Sequence, residues 1–141
     1  MTAKRTNPFK LRDFRGMDPA VIAALEARGI KTAEKLLAAG ATAPQRRELA
    51  QQSGIPEEVI LQLVRLSDLA RLPGVKGIRA RLYYDAGVQS VESFAAWEPE
   101  ALRLMVTEYA ARTGFVGVPP LPKEVSSTIA NARKLPRIVE D

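Results

Sequence analysis

The 141-residue chain contains no cysteine and no histidine. The absence of cysteine excludes disulfides, thiolate zinc sites and thiol chemistry within the chain. The absence of histidine removes the commonest general base and the commonest metal ligand, and with them every triad or dyad that uses an imidazole. Catalysis would have to depend on carboxylates, lysines or tyrosines alone. We therefore expect a protein that is not an enzyme and that holds no cofactor or metal.

Long apolar runs are also missing. No stretch approaches the roughly 18 apolar residues that span a bilayer. The basic N-terminus, with Lys4 and Arg5, lacks the apolar stretch of a secretory signal. We therefore expect a cytoplasmic location and no membrane partner. The length and the apolar fraction of 46% suit one compact domain, or two small units that share a core.

Acidic residues are fewer than basic ones. The chain has 16 Asp and Glu against 21 Lys and Arg, which gives a formal net charge of +5. The sequence pI of about 9.8 favours an acidic partner such as a nucleic acid. Because a modest excess of this kind is common among soluble proteins, the placement of the cations matters more than their total.

What the chain does have is a repeated segment. Residues 16–19 and residues 29–32 each begin with a glycine. The same pattern recurs in residues 74–77 and 87–90. The offset is constant, since 74 − 16 = 58 and 87 − 29 = 58. The same offset pairs Leu11 with Leu69, Phe14 with Leu72, Met17 with Val75, Ile30 with Val88, Thr32 with Ser90, Glu34 with Glu92 and Leu36 with Phe94. The pattern predicts a duplicated helical unit built around a short glycine hairpin.

Proline, glycine and hydroxyl residues mark the helix boundaries. After a short turn over residues 10–15, they predict helices from Pro19 to Gly29, Thr32 to Gly40, Thr42 to Gln52, Pro56 to about Arg71, about Lys76 to Ala86, Ser90 to Trp97, Pro99 to about Thr113 and Pro122 to about Lys134. The helix that begins at Pro56 is predicted to be the longest. No segment alternates apolar and polar residues, so we predict an all-α fold of roughly ten helical segments.

These segments group into three parts. Residues 1–8 are predicted to be a flexible basic arm. Residues 9–65 form the first unit and residues 66–141 the second, and the helix near residues 56–71 is shared between them. We expect the two units to form one compact domain.

The second hairpin has the chemistry of a phosphate site. The first backbone N–H groups of a helix have no intrahelical partner and, with the helix dipole, attract an anion. Gly74 is predicted to make the turn and Val75 to fix it in the core. The amides around Lys76 and Gly77 would then face a phosphate.

Charge distinguishes the two hairpins. Residues 65–81 carry a net charge of 5 − 1 = +4, whereas residues 7–23 carry 3 − 2 = +1. Asp18 stands where the second hairpin has Lys76, and a carboxylate there would repel a phosphate. We therefore expect the first hairpin to be structural. The residues expected to contact a nucleic-acid backbone are Gly74, Val75, Lys76, Gly77, Arg79, Arg81 and Arg71.

Structural interpretations of these residues stay open. The Gly74 hairpin would serve equally as a packing turn, and Arg79 and Arg81 as a solvated helix face. Tyr83 and Tyr84 offer a surface on which bases could stack, but the match of Tyr83 to an apolar position of the first unit favours a core role for Tyr83. Trp97 is expected to pack in the core.

The residues of the second hairpin resemble a motif that is found in known protein families. The pattern Leu-x-x-Leu-Pro-Gly-Val-Lys-Gly over residues 69–77 resembles the helix-hairpin-helix motif of DNA repair and replication proteins. Together with residues 75–100 and 132–136, it makes nearly the whole chain similar to a family of uncharacterised prokaryotic proteins with tandem helix-hairpin-helix units, the domain-of-unknown-function family 4332.

The resemblance implies a fold and a mode of binding. It implies a tandem helix-hairpin-helix arrangement, similar to SAM domains, and sequence-independent contact with the DNA backbone. Both hairpins depart from the motif, because Asp18 and Lys76 replace its second glycine. Two hypotheses follow: a DNA-backbone-binding accessory protein, and, as the alternative, a protein–protein interaction module with no nucleic-acid role.

Overall fold

The computed structural model describes residues 9–73, 75, 77–115 and 120–140. These residues form eight α-helices and one short 3-10 helix, and contain no β-strand. The 3-10 helix covers Leu11–Asp13, and helices α1 to α8 cover Pro19–Ala27, Ala33–Gly40, Ala43–Ser53, Glu57–Leu69, Gly77–Ala86, Val91–Ala95, Pro99–Thr113 and Pro122–Lys134. The all-α prediction is confirmed. Among these helices, none is both long and apolar enough to cross a bilayer.

Helix ends follow the local sequence. The side chains of Asp18, Thr32, Thr42, Ser90 and Glu98 each accept a hydrogen bond from a backbone N–H in the first turn of the helix that follows. Gly29 and Gly87 follow the ends of α1 and α5 with φ angles of 83° and 109°, a left-handed conformation that suits glycine. These boundaries are local, which is why the sequence predicted most of them.

Helix α4 lies at the centre of the fold and packs against α2, α3 and α5. Its residues Ile60, Leu63 and Val64 recur at three- and four-residue spacing and are completely buried. Because α4 packs against helices on both sides, the two sequence halves share one core rather than forming separate ones.

The limits of α4 differ from the prediction. The helix near residues 56–71 covers only Glu57–Leu69, 13 residues, and α7, with 15 residues, is longer. The prediction that α4 is the longest helix was therefore wrong. Proline disfavours helical geometry at the residue before it, so Pro73 explains why the chain leaves the α-helix early.

One hydrophobic core contains side chains from all eight helices. Tyr83 is buried in it, and its ring lies 4.5 Å from the Phe94 ring in an edge-on arrangement. Trp97 is half-buried and packs against the same core. The core role predicted for Tyr83 is thus confirmed.

Positions 58 residues apart share backbone hydrogen bonds as well as residue type. The Ile30 N–H donates to the Leu25 carbonyl at 3.0 Å, and the Val88 N–H donates to the Tyr83 carbonyl at 2.8 Å. The same holds for Phe14 to Leu11 and Leu72 to Leu69, both at 3.1 Å. The chain therefore turns in the same way after α1 and after α5.

The two halves differ in how the chain enters them. In the first half an extended segment at Lys10 pairs with Thr32 as an isolated β-bridge. The Ala33 N–H at the start of α2 donates to the Phe9 carbonyl at 2.8 Å. The segment 58 residues later, residues 67 and 68, lies in the last turn of α4.

In the second half a buried carboxylate, rather than a backbone carbonyl, accepts the hydrogen bond from the first N–H of the corresponding helix. The Asp68 side chain accepts a hydrogen bond from the Val91 N–H, 3.5 Å away at the start of α6, and one from Arg71 at 2.7 Å. Arg71 also donates to the Pro136 carbonyl at 3.0 Å. Burial raises the pKa of the Asp68 carboxyl, and the nearby Arg71 opposes that shift.

The C-terminal segment returns to the first half of the chain. The Glu140 N–H donates to the Ala41 carbonyl at 2.8 Å, and Val139 is buried. The guanidinium of Arg46, which is only 2% exposed, donates to the carbonyls of Gly40, Ala41 and Glu140 at 2.9, 3.0 and 2.6 Å. Arg46 thus joins α2, α3 and the end of the chain.

We expect Arg46→Leu to lower the free energy of unfolding by roughly 3 kcal/mol, since it removes three hydrogen bonds made by a buried arginine. Urea unfolding followed by circular dichroism measures the change. Arg47→Leu, at the exposed neighbouring position, serves as the control and should alter stability by less than about 0.5 kcal/mol. Equal losses in the two variants would contradict the role given to Arg46.

Candidate nucleic-acid interface

The predicted interface lies around the second hairpin, of which Gly74 and Lys76 fall outside the described residues. Val75 is 2% exposed, and its N–H donates to the Leu72 carbonyl at 3.0 Å. This burial agrees with the anchoring role predicted for Val75. Helix α5 begins at Gly77, directly after the hairpin.

Helix α5 has the features of an anion-attracting helix start. It is 10 residues long and has no acidic residue in its first turn. Arg79 and Arg81 both lie within its first two turns. The helix dipole and two cations therefore act in the same direction at this end of α5.

The first hairpin supplies its own anion. The carboxylate of Asp18 accepts a hydrogen bond from the Ala20 N–H at 2.9 Å and caps α1. An internal carboxylate thus interacts with a backbone N–H and with the positive end of the helix dipole at the start of α1. In the sequence, Lys76 stands at the corresponding position before α5.

Arg81 lies against the first hairpin rather than pointing only to solvent. A Cβ atom placed on Gly16, whose φ is 77°, would lie 2.9 Å from Cζ of Arg81. The Arg81 guanidinium is also 3.9 Å from the Met17 sulfur and 3.2 Å from an Asp85 carboxylate oxygen. Sequence reasoning selected Arg81 for its charge, but no sequence signal indicated this contact between the two halves.

Arg79 forms an ion pair across a cleft. Its Nη1 lies 3.1 Å from Oε2 of Glu124 in the first turn of α8, and the side chains of Arg79 and Glu124 are 23% and 44% exposed. Glu124 also accepts a hydrogen bond from the Leu121 N–H at 2.8 Å. The Leu121 N–H and, to a smaller extent, Arg79 lower the pKa of the Glu124 carboxyl.

Arg71 has a more internal position than the other two arginines. Its side chain is 15% exposed and pairs with Asp68, which is almost fully buried. The structure therefore gives Arg71 a packing role beside the hairpin. Its contact with a phosphate stays a prediction.

The cleft between α5 and α8 was not predicted. It has a volume of about 290 Å³ and is lined by Pro73, Val75, Arg79, Tyr83, Lys123, Glu124, Ser127 and Thr128. Pro73 and Val75 give it an apolar side, α5 contributes Arg79 and Tyr83, and α8 contributes the remaining polar residues. Lys123 and Ser127 have no role predictable from the sequence, because the sequence does not reveal which helix packs beside α5.

A second cleft lies next to the C-terminal segment. Its volume is about 300 Å³, and its lining includes Arg65, Arg137, Asp68 and Glu92. These two cations and two carboxylates balance in charge, so this cleft has no excess attraction for an anion. Within the described ranges, no group of three or more carboxylates is arranged to hold a metal ion.

The comparisons with known proteins identify a family whose function is unknown. The family model described as Domain of unknown function (DUF4332) matches residues 15–135, which is most of the chain. The chain therefore belongs to this family. No curated protein and no solved structure is significantly similar to it.

Gly16→Ala tests the contact between Arg81 and the first hairpin. We expect a loss of stability of roughly 1–2 kcal/mol, because alanine disfavours a positive φ angle. The added Cβ should also displace the flexible Arg81 guanidinium and shift the NMR signal of its Nε–H group. Gly29→Ala, where φ is 83° and no atom lies within 4 Å, is the matched control for backbone strain. An unchanged Arg81 signal in Gly16→Ala would contradict the contact.

Tyr83 gives a prediction for alkaline pH. Burial raises the pKa of Tyr83 from 10.0 to about 12. Between these values the unfolded chain loses a proton that the folded protein keeps, so the free energy of unfolding should fall as pH rises through that window. Absorbance at 295 nm should show one of the three tyrosines ionising near pH 12. Tyr83→Phe should remove that step, and an unaltered titration would disprove the assignment.

Proposed function

We propose that this member of the DUF4332 family is a non-enzymatic, cytoplasmic accessory protein that binds the backbone of DNA without sequence preference. The observation that carries the proposal is the difference between the two hairpins. Asp18 caps α1 with its own carboxylate, whereas Lys76 precedes α5 in the sequence and Arg79 and Arg81 follow on that helix. The second hairpin is thus the one suited to an external anion.

We also propose that the two halves are tandem helix-hairpin-helix units of the SAM-domain-like type, with residues 9–65 and 66–141 sharing α4. The hydrogen bonds common to positions 58 residues apart support this arrangement. The replacement of the second glycine by Asp18 and Lys76 is a departure from the motif. In the first unit the replacing residue, Asp18, caps the helix start with its own carboxylate, so no site for an external anion remains there.

Phosphate oxygens would accept hydrogen bonds from the amides at the start of α5, and Lys76, Arg79 and Arg81 would neutralise their charge. Contacts of this kind position a protein on DNA but carry no sequence information. Helix α5 contains no asparagine or glutamine that could read adenine in the major groove. Binding should therefore depend on the backbone rather than on base sequence.

A protein–protein interaction module is the second candidate function. It is favoured by two exposed leucines, Leu104 on α7 and Leu121 just before α8, which are 55% and 59% exposed. Helices α7 and α8 pack against each other. Docking of a partner through apolar surface would respond little to salt, unlike phosphate binding.

The test is the binding of a fluorescent duplex, and of the matching single strand, at several salt concentrations. We expect roughly micromolar affinity for the duplex at low salt, typical of non-specific binding. If three cations contact phosphates, log K should fall with log salt at a slope of about −2.7. The variant Lys76→Glu/Arg79→Glu/Arg81→Glu should lose this binding.

The control reverses three exposed cations elsewhere, Lys31→Glu/Lys35→Glu/Arg47→Glu. Both triple variants have the same net charge, 5 − 6 = −1, so the comparison separates a local site from general attraction. Circular dichroism verifies that each variant is folded. Equal losses in both variants would contradict a site at the second hairpin. No binding by the wild-type protein at low salt would rule out the proposed function and favour a protein partner.

A further inference from the structure

Across the α5–α8 cleft, Arg79 pairs with a carboxylate, that of Glu124, which would compete with a phosphate for the same guanidinium. The Glu124 carboxylate, 3.1 Å from Nη1 of Arg79, presents the same chemistry to a guanidinium as a phosphate does: paired, negatively charged oxygen acceptors. A phosphate that approaches the start of α5 from this cleft would therefore compete with Glu124 for Arg79. It would also be repelled by the Glu124 charge at close range.

The ion pair is placed so that it can be exchanged. Both side chains are partly exposed, and pairs of this kind add little to folding stability. Breaking the pair therefore costs the protein little. Lys123 and Ser127 line the same cleft and offer additional hydrogen-bond donors to an entering anion.

We propose that Glu124 limits the affinity of the second-hairpin surface for nucleic acid by competing with a backbone phosphate for Arg79. The proposal rests on the proposed DNA-backbone binding and adds a regulator of the same site. It assigns a binding role to a residue of α8, which the sequence alone gave no reason to select. Removing the carboxylate charge should strengthen binding, the opposite of what most substitutions near a binding site do.

Glutamine is the substitution that isolates this effect. The Glu124 side chain caps the start of α8 by accepting a hydrogen bond from the Leu121 N–H at 2.8 Å. A glutamine side chain can make the same hydrogen bond, so Glu124→Gln keeps the cap and removes only the charge. Glu100→Gln is the matched control: Glu100 also lies in a first turn and pairs with an arginine, Arg103, but it does not line the cleft.

The experiment measures duplex affinity at fixed low salt for the wild-type protein, Glu124→Gln, Glu100→Gln, Arg79→Gln and the double variant Arg79→Gln/Glu124→Gln. We expect Glu124→Gln to bind roughly three- to tenfold more tightly than wild type. Glu100→Gln should bind like wild type, and most of the gain should be lost when Arg79 is glutamine, because only the direct charge repulsion then remains.

Two results would overturn the inference while leaving the proposed function intact. In the first, the wild-type protein binds DNA but Glu124→Gln binds no more tightly than Glu100→Gln. In the second, Glu124→Gln strengthens binding equally with and without Arg79, which would indicate charge repulsion without competition for that residue. Absence of binding by every protein, wild type included, would overturn both proposals.

Discussion

The burial of α4 against helices from both halves is the constraint on which the rest of the structure depends. Its fully buried side chains, among them Ile60, Leu63 and Val64, require apolar partners on more than one side. Helices α2 and α3 supply them from the first half and α5 from the second. Helix α5 packs on α4, and Arg81 of α5 lies next to the first hairpin.

The corresponding helix starts in the two halves, those of α1 and α5, have different charged groups around them. In the first half the helix start is capped by the chain's own carboxylate, Asp18. In the second half, Lys76 precedes the helix in the sequence, and Arg79 and Arg81 on the helix pair with Glu124 and Asp85. The first half is therefore neutralised at the helix start itself, and the second by ion pairs between side chains.

The fold was largely predictable, and the site only partly. Helix starts at Thr32, Thr42 and Ser90 depend on side chains that bond within three residues, so the sequence contains the information. The burial of Val75 and Tyr83 followed from the internal repeat. Helix α4 ends earlier than predicted because Pro73 disfavours helical geometry in the residues before it.

By itself the sequence determined the all-α class, most helix boundaries, the repeat and the greater positive charge of the second hairpin. These properties depend on composition or on residues a few positions apart. The tertiary structure decided which groups the arginines meet: Arg79 pairs with a residue 45 positions away, Arg81 lies beside one 64 away, and Arg46 bonds to one 94 away. The physical reason is that such contacts arise only when the helices pack, and helix packing is set by the whole core rather than by any one segment.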